Sequence, residues 1–492
     1  MLTRRQTMLG GGAVVAGAAL FSASACAQTD PLATPLPIPP LVDALAQGNA
    51  LSLNVQAGRH AFFPRRPTPT YGYSGDLLGP TIRVRSGNAV AIAVRNAIET
   101  ATTIHWHGLV IPGESGDGGP HDRIAPGETW RRVLPIDQRE ATAWYHPHPH
   151  QDTARQIYAG LGGLMFVEDG TGERLGLPRT YGEDDLPLIL QDRLFDSAGG
   201  LIYPTGPMTL MQGARGDTFV VNGAIAPSTR VPAGLVRLRL LNAANARNFV
   251  LSFEDGRSFH IIASDGGYLA APVEATNLLI APAERYEILV DFSDGRAVRL
   301  GTSADPYTPM TGMMGRAPNA SGAIMTFVPD RSRQTPQHRV PAALVSVPSL
   351  PRSDTLQRRR LTLNDMGGMM GGMMGPMMGR GPGGGFGING QAFDMERIDA
   401  EIRLGSREIW EVAAGMMAHP FHLHGAHFRL LSLDGAPPPA QLSGWKDTVL
   451  VSRFAEILVH FAQPSSRTHP FMFHCHILEH EDAGMMGQYV CA

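Results

Sequence analysis

The sequence predicts an all-β protein of three β-sandwich units in tandem, and three observations carry that prediction. The chain has 492 residues, which at ordinary domain sizes is about three domains. Its 57 Gly and 39 Pro, without a collagen period, call for many short strands joined by turns rather than long helices. Finally, one pattern recurs three times along the chain.

The first copy, residues 80–96, reads PTIRVRSGNAVAIAVRN, apolar and polar residues alternating on both sides of Gly87. The second, 221–242, has VNGAIAP, a charged break and then GLVRLRLLN, which begins with Gly234; the third, 388–412, has INGQAFD and then IRLGSREIWEV around Gly405. Each copy closes on a similar segment: GGLMFVED at 162–169, GAIMTFVPD at 322–330 and GMMGQYV at 484–490. Period-two alternation bounded by Gly, Pro and Asn marks half-buried strands. The units are expected at 45–175, 182–332 and 357–492, with a Pro-rich linker at 333–356.

Composition excludes several classes of function. Apolar residues are 43% of the chain and charged residues 17%, which gives buried cores and argues against a disordered chain. Net charge is −3, or −5 without residues 1–27, which carry Arg4 and Arg5 and no acid. Apart from a short run at 358–360 there is no basic patch, so no nucleic-acid partner is expected. Three cysteines exclude a disulfide-stapled scaffold.

Arg4 and Arg5 precede an uncharged stretch, residues 10–25, rich in Gly and Ala. It is too short for a membrane span and reads as a cleavable export signal of twin-arginine type over 1–27. A lipid anchor on Cys26 is the lesser alternative. The mature chain is therefore expected in the periplasm, without a membrane span and as a monomer. Residues 365–387 form a Met- and Gly-rich insertion, read as a loop because glycine between the methionines disfavours helix. Met310, Met313 and Met314 form a smaller cluster.

Histidine carries the functional signal. Eighteen His contain five H-x-H pairs: 105/107, 146/148, 148/150, 422/424 and 474/476. Composition alone predicts fewer than one. On a strand, residues i and i+2 face the same way, so each pair offers two imidazoles to one side. In His474-Cys475-His476 the sulfur then points away from its two neighbours. Cys475 with His480, His419 and a weak thioether from Met485 is the donor set of a blue-copper site. His419 has the opposite parity to His422 and His424, so the remaining eight rings face a second site. Eight neutral ligands suit a cluster of three coppers, and zinc is disfavoured because a mononuclear site needs far fewer ligands. His60, His121, His150, His260, His338, His427, His460 and His469 read as ordinary hydrogen-bonded residues.

HWHG at 105–108, WYHPH at 144–148, HPFHLHG at 419–425 and HCHILEHEDAGMM at 474–486 resemble, in order and spacing, the four copper signatures of the multicopper oxidases. The resemblance covers nearly the whole mature chain and implies three cupredoxin-like Greek-key domains with four coppers. A type 1 copper would sit at His419, Cys475, His480 and Met485, and a type 2 copper at His105 and His422. His107, His146, His148, His424, His474 and His476 would hold the type 3 pair. The second unit resembles a cupredoxin without copper, with Asn245-Ala246-Arg247-Asn248 where a ligand pair might stand.

The implied activity is one-electron oxidation of a donor at the type 1 copper, coupled to reduction of O2 to water at the cluster. Cys475 links the two sites, and Asp117 and Glu481 resemble the family's proton donors. Asp447 is expected to be structural or to support a copper ligand, near the blue copper. Within the family the INGQAFDM string and the Met-rich insertion most resemble periplasmic cuprous oxidases of copper resistance. That makes Cu(I) the expected donor, with phenols and amines beside it, and Met417, Asp365 and Met366 candidate ligands for substrate copper. Gly415 stands where that subgroup has an acid. The alternatives are a general laccase and a non-catalytic periplasmic copper-binding protein. A copper-free relative is disfavoured by the complete ligand set, and a two-domain nitrite reductase by the three repeats.

Overall fold

The computed structural model describes residues 34–308, 320–333, 338–348, 355–364 and 385–492. The segment expected to be an export signal, with Cys26, and the Met310 cluster, Asp365, Met366 and nearly all of the Met-rich insertion lie outside the described residues. The described strands form six sheets, two for each unit.

The threefold repetition in the sequence becomes a threefold repetition of strand pairing. The strand before each pivot glycine runs parallel to the strand that closes its unit. The pairs are Thr81–Arg85 with Gly163–Glu168, Ser228–Pro232 with Gly322–Asp330, and Ala400–Ile402 with Met486–Cys491. After the pivot the chain enters the unit's other sheet. There Asn88–Asn96, Leu235–Asn242 and Arg407–Ala414 each run parallel to an earlier strand, Ala50–Phe63, Asp185–Phe195 and Gln357–Asn364 respectively. Each also pairs antiparallel with a later one, Thr129–Ile136, Arg285–Asp291 or Phe454–His460. Gly87 and Gly405 make this crossing at φ +86° and +76°, where a side chain would be strained. Gly234 makes it without a positive φ.

Alternation decides which side chains enter each sandwich. In the first unit Val90, Ile92 and Val94 face Ile82, Val84 and Val167; in the third, fully buried Trp410 packs on Phe461, Phe473 and Tyr489. The second unit has the most extensive core and gathers chain from outside its own repeat. Leu36 donates its N–H to Ser228 O at 2.8 Å, and Leu344 of the Pro-rich linker donates to Ala270 O at 2.9 Å. Both side chains join the second core. The closing strand of the third unit begins at Met486, one residue after buried Met485 and two after Gly484, whose φ is +103°.

Candidate metal centre

The histidine pairs stand at strand ends and the turns just beyond them, with His422 and His474 inside strands and His105 and His146 in an isolated bridge. His105 and His146 exchange backbone hydrogen bonds of 2.8 and 3.1 Å. In the third unit His419–Leu423 pairs antiparallel with Phe471–Cys475, placing His422 opposite His474 and Phe421 opposite Cys475. Directly opposed residues share a face. His422 and His474 therefore point one way, while Cys475 and Phe421 point into the third unit's core beside Met485.

On that core side three donor atoms converge. Cys475 Sγ lies 3.4 Å from His419 Nδ1 and 3.8 Å from His480 Nδ1, and the two nitrogens are 3.3 Å apart. Cys475 N–H donates to Met485 O at 3.1 Å, which brings the Met485 turn against the same strand end. His480 sits in the short helix Leu478–Asp482, and its Nε2 is 3.3 Å from Met211 O of the second unit. That helix is docked by the NARN segment. Leu478 N–H donates to Asn245 O at 3.1 Å, and Asn245 Nδ2 donates to Glu479 Oε1 at 2.8 Å and to Ala154 O at 3.0 Å.

On the opposite side the eight remaining rings form two triads and a pair. His107, His146 and His476 are one triad and His148, His424 and His474 the other, each with ligand atoms mutually within 4.8 Å. His105 Nε2 and His422 Nε2 stand 3.4 Å apart between them. An acceptor behind most rings fixes which nitrogen faces inward. His105 Nδ1 is 2.8 Å from Asp117 O, His422 Nδ1 2.9 Å from Asp447 O, and His146 Nδ1 2.9 Å from Pro147 O. His474 Nδ1 is 3.0 Å from Cys475 O, His424 Nδ1 2.6 Å from Asp117 Oδ2, and His107 Nε2 3.1 Å from Asp447 Oδ1.

Asp117 and Glu481 both stand at the cluster. Glu481 lies 3.1 Å from His474 Nδ1 and 3.4 Å from His148 Nδ1. Burial pushes both carboxyls up, but the rings beside them (His424 and His105 for Asp117, His148 and His474 for Glu481) outweigh it. Both are held well below the usual carboxylate range. Asp447 corrects the expectation from sequence: it lies at the histidine cluster, against His107 and His422, not beside the sulfur. Sequence reasoning missed its partner Arg285, because nothing local marks an arginine of the second unit as a neighbour of histidines in the other two. The eight histidines set aside above fall in none of the metal-holding groups found among the described residues. Met417 is half-buried and lines a cleft of about 440 Å³ with Tyr307, Met416 and Arg453.

The residues present fit copper. Both ring nitrogens of buried His476 lack a hydrogen-bond partner among the described residues, an arrangement costly in a metal-free interior. Burial pushes His107, His146, His422 and His424 well below the ordinary 6.5, and His148 and His476 down to about 3, with charge on neighbouring rings adding to most of these shifts. The rings are thus neutral and ready to ligate at neutral pH. Imidazoles with one thiolate are donors for copper.

This architecture defines a cupredoxin-type oxidase scaffold, and comparison places the chain within one family. Multicopper oxidase family models match residues 54–172, 190–299 and 359–492. The chain belongs to the multicopper oxidases, a copper family. It is 38% identical over 488 residues to cell division protein FtsP of Escherichia coli K12, covering 99% of this chain and 98% of that protein. FtsP of Edwardsiella tarda is 38% identical over 460 residues, 92% of each chain. Among solved structures, CueO from the lignin-degrading bacterium Ochrobactrum sp. is 45% identical with a TM-score of 0.84, over 93% of this chain and 100% of that one. It is described as a laccase-like multicopper oxidase with oxidase activity towards lignin model compounds and lignosulfonate. These relatives overturn the expectation of a cuprous oxidase of copper resistance. The curated proteins that match almost end to end are named for cell division, not for copper oxidation. No helix of the described residues is long and apolar enough to cross a membrane.

Proposed function

We propose that the chain is a periplasmic oxidase of the laccase type, accepting electrons from small organic donors such as phenols and using O2 as oxidant. The observation that supports this most is the completeness of two donor sets joined back to back at His474-Cys475-His476. In this reading the sulfur-bearing set with Met485 holds a type 1 copper. His105 and His422 hold a type 2 copper, and the two triads a type 3 pair, four ions in all. When bound, copper supplies one-electron oxidation at the first set and four-electron reduction of O2 to water at the second.

The chain's own residues do the rest. Cys475 connects the sets through a few covalent bonds of its own backbone. Burial of every ligand excludes water. Asp117 Oδ2, against His424 Nδ1, and Glu481, between His148 and His474, are placed as carboxylates to pass on the protons that water formation consumes. The unit boundaries at 45–175, 182–332 and 357–492 and export by the first 27 residues belong to the same proposal.

Metal analysis, a visible spectrum and an oxygen electrode test it. Four coppers per chain, a thiolate-to-copper band and O2 uptake with 2,6-dimethoxyphenol are expected. Cys475→Ser should abolish band and uptake together. One observation favours a second reading, a non-catalytic copper-binding role in division: the name carried by the nearly full-length relatives. That reading predicts bound copper without O2 uptake, and a division defect that Cys475→Ser still rescues.

A further inference from the structure

Three buried carboxylates each face two rings of the histidine cluster. Asp117 serves His424 and His105, and Glu481 serves His474 and His148. Asp447 lies 3.1 Å from His107 Nε2 and 3.6 Å from His422 Nδ1. Only Asp447 of the three is gripped by an arginine among the described residues. Arg285, fully buried at the start of second-unit strand Arg285–Asp291, donates Nη1–H to Asp447 Oδ1 at 2.7 Å and Nη2–H to Oδ2 at 2.5 Å.

The guanidinium has no slack. A guanidinium carries five N–H donors; the three not used on Asp447 go to Thr142 O at 3.0 Å, Ala283 O at 3.0 Å and Asp265 O at 3.1 Å. Gly108, next to His107, leaves the space it occupies: a Cβ there would meet Arg285 Nη2 at 2.6 Å. Asp265, also of the second unit, accepts Arg285 N–H at 2.8 Å and forms an ion pair with Lys446 Nζ at 2.9 Å. Its Oδ2 also lies 3.4 and 3.3 Å from the backbone N of Asp447 and Thr448. The second unit thus holds 446–448 through both Arg285 and Asp265. That segment in turn holds His107 of the first unit by a carboxylate and His422 of the third by a carbonyl.

We propose that Arg285 is a positioning residue of the histidine cluster. It fixes the place and charge of Asp447, so that His107 and His422 present their inward nitrogens at a set spacing, and the second unit thereby governs loading of the cluster. The inference rests only on the cluster holding copper, which both readings above share. A fork matters here because two oxygens must be held at once, which a lysine ammonium cannot do.

The test is copper retention in Arg285→Met and Arg285→Lys, with Arg239→Met as the control. Arg239 belongs to another buried ion pair of the second unit, bonded to Asp185 at 2.8 Å and to no ring of the cluster. Expected for Arg285→Met is an intact thiolate-to-copper band with cluster copper released to a chelator about 10–100-fold more readily, as for other partners of metal-bound histidine. Arg285→Lys should keep the fold by circular dichroism and lie between variant and wild type, so it carries the test if Arg285→Met does not fold. Copper retention unchanged in Arg285→Lys and in any folded Arg285→Met overturns the proposal; so does an equal loss in Arg239→Met, which would make the role merely structural. A wild-type chain that binds no copper refutes instead the proposed function.

Discussion

At the scale of single residues, the cluster depends on what stands behind each ring. Asp117→Ala removes the acceptor 2.6 Å from His424 Nδ1 and the negative charge beside His105. Copper affinity of the cluster should fall about 10–100-fold; competition with a chelator measures it, and an unchanged affinity counts against the arrangement. His427 offers a cleaner test of buried charge because it touches no ligand. Burial, then the charge of Arg139, push it down to about 4. It takes a hydrogen bond from Arg139 Nη2 at 3.1 Å and gives one to Gly108 O at 3.2 Å, so it folds neutral. Unfolded, it binds a proton below about 6.5, so its contribution falls as pH drops from about 6.5 to 4, at roughly 1.4 kcal/mol per pH unit. Gln at this position keeps an acceptor and a donor but does not titrate. The stability of wild type relative to His427→Gln should therefore decline across that window in denaturant titrations, and a constant difference would refute it.

At the scale of elements, the sequence is most informative where period two governs. That Cys475 turns from His474, and His419 from His422, follows from alternation alone, and the pairings of His419–Leu423 agree with both; His476 lies just beyond its strand, where alternation no longer decides. Asn245 shows the limit: NARN reads as an empty ligand position, but the fold uses it to seat the helix Leu478–Asp482. That use depends on a partner 234 residues away, invisible to any local pattern. Asn245→Ala should strip one side-chain hydrogen bond from the helix that carries His480 and one from Ala154 O of the first unit. A loss of about 1–3 kcal/mol is expected, since Glu479 and Ala154 O are left buried. The loosened His480 should shift the thiolate-to-copper band. A destabilised variant with an unmoved band would show that His480 is held by other means.

At the scale of the molecule, the second unit is the keystone although it holds none of the candidate ligands. Its buried arginines reach outward. Arg237 pairs with Glu287, Arg239 with Asp185, and Arg247 with Asp192, all close to fully buried. Thr142 of the first unit donates to Glu287 at 2.6 Å, and Arg239 lies 4.0 Å over the ring of Phe166, also of the first unit. None of this is legible in a sequence where arginine in a strand reads as a solvated face, because each carboxylate partner lies 50, 54 or 55 residues away on another strand of the unit. A buried ion pair contributes little net stability over an apolar pair, but removing one partner strands the other. Arg239→Met should therefore cost about 3–5 kcal/mol, because Asp185 keeps its charge without its bidentate partner. The double variant Arg239→Met with Asp185→Leu should recover most of that loss. Since the pair sits where first and second units meet, calorimetry of Arg239→Met should also show the unfolding endotherm separating into two. A single endotherm at the wild-type midpoint would mean that the units are held together elsewhere.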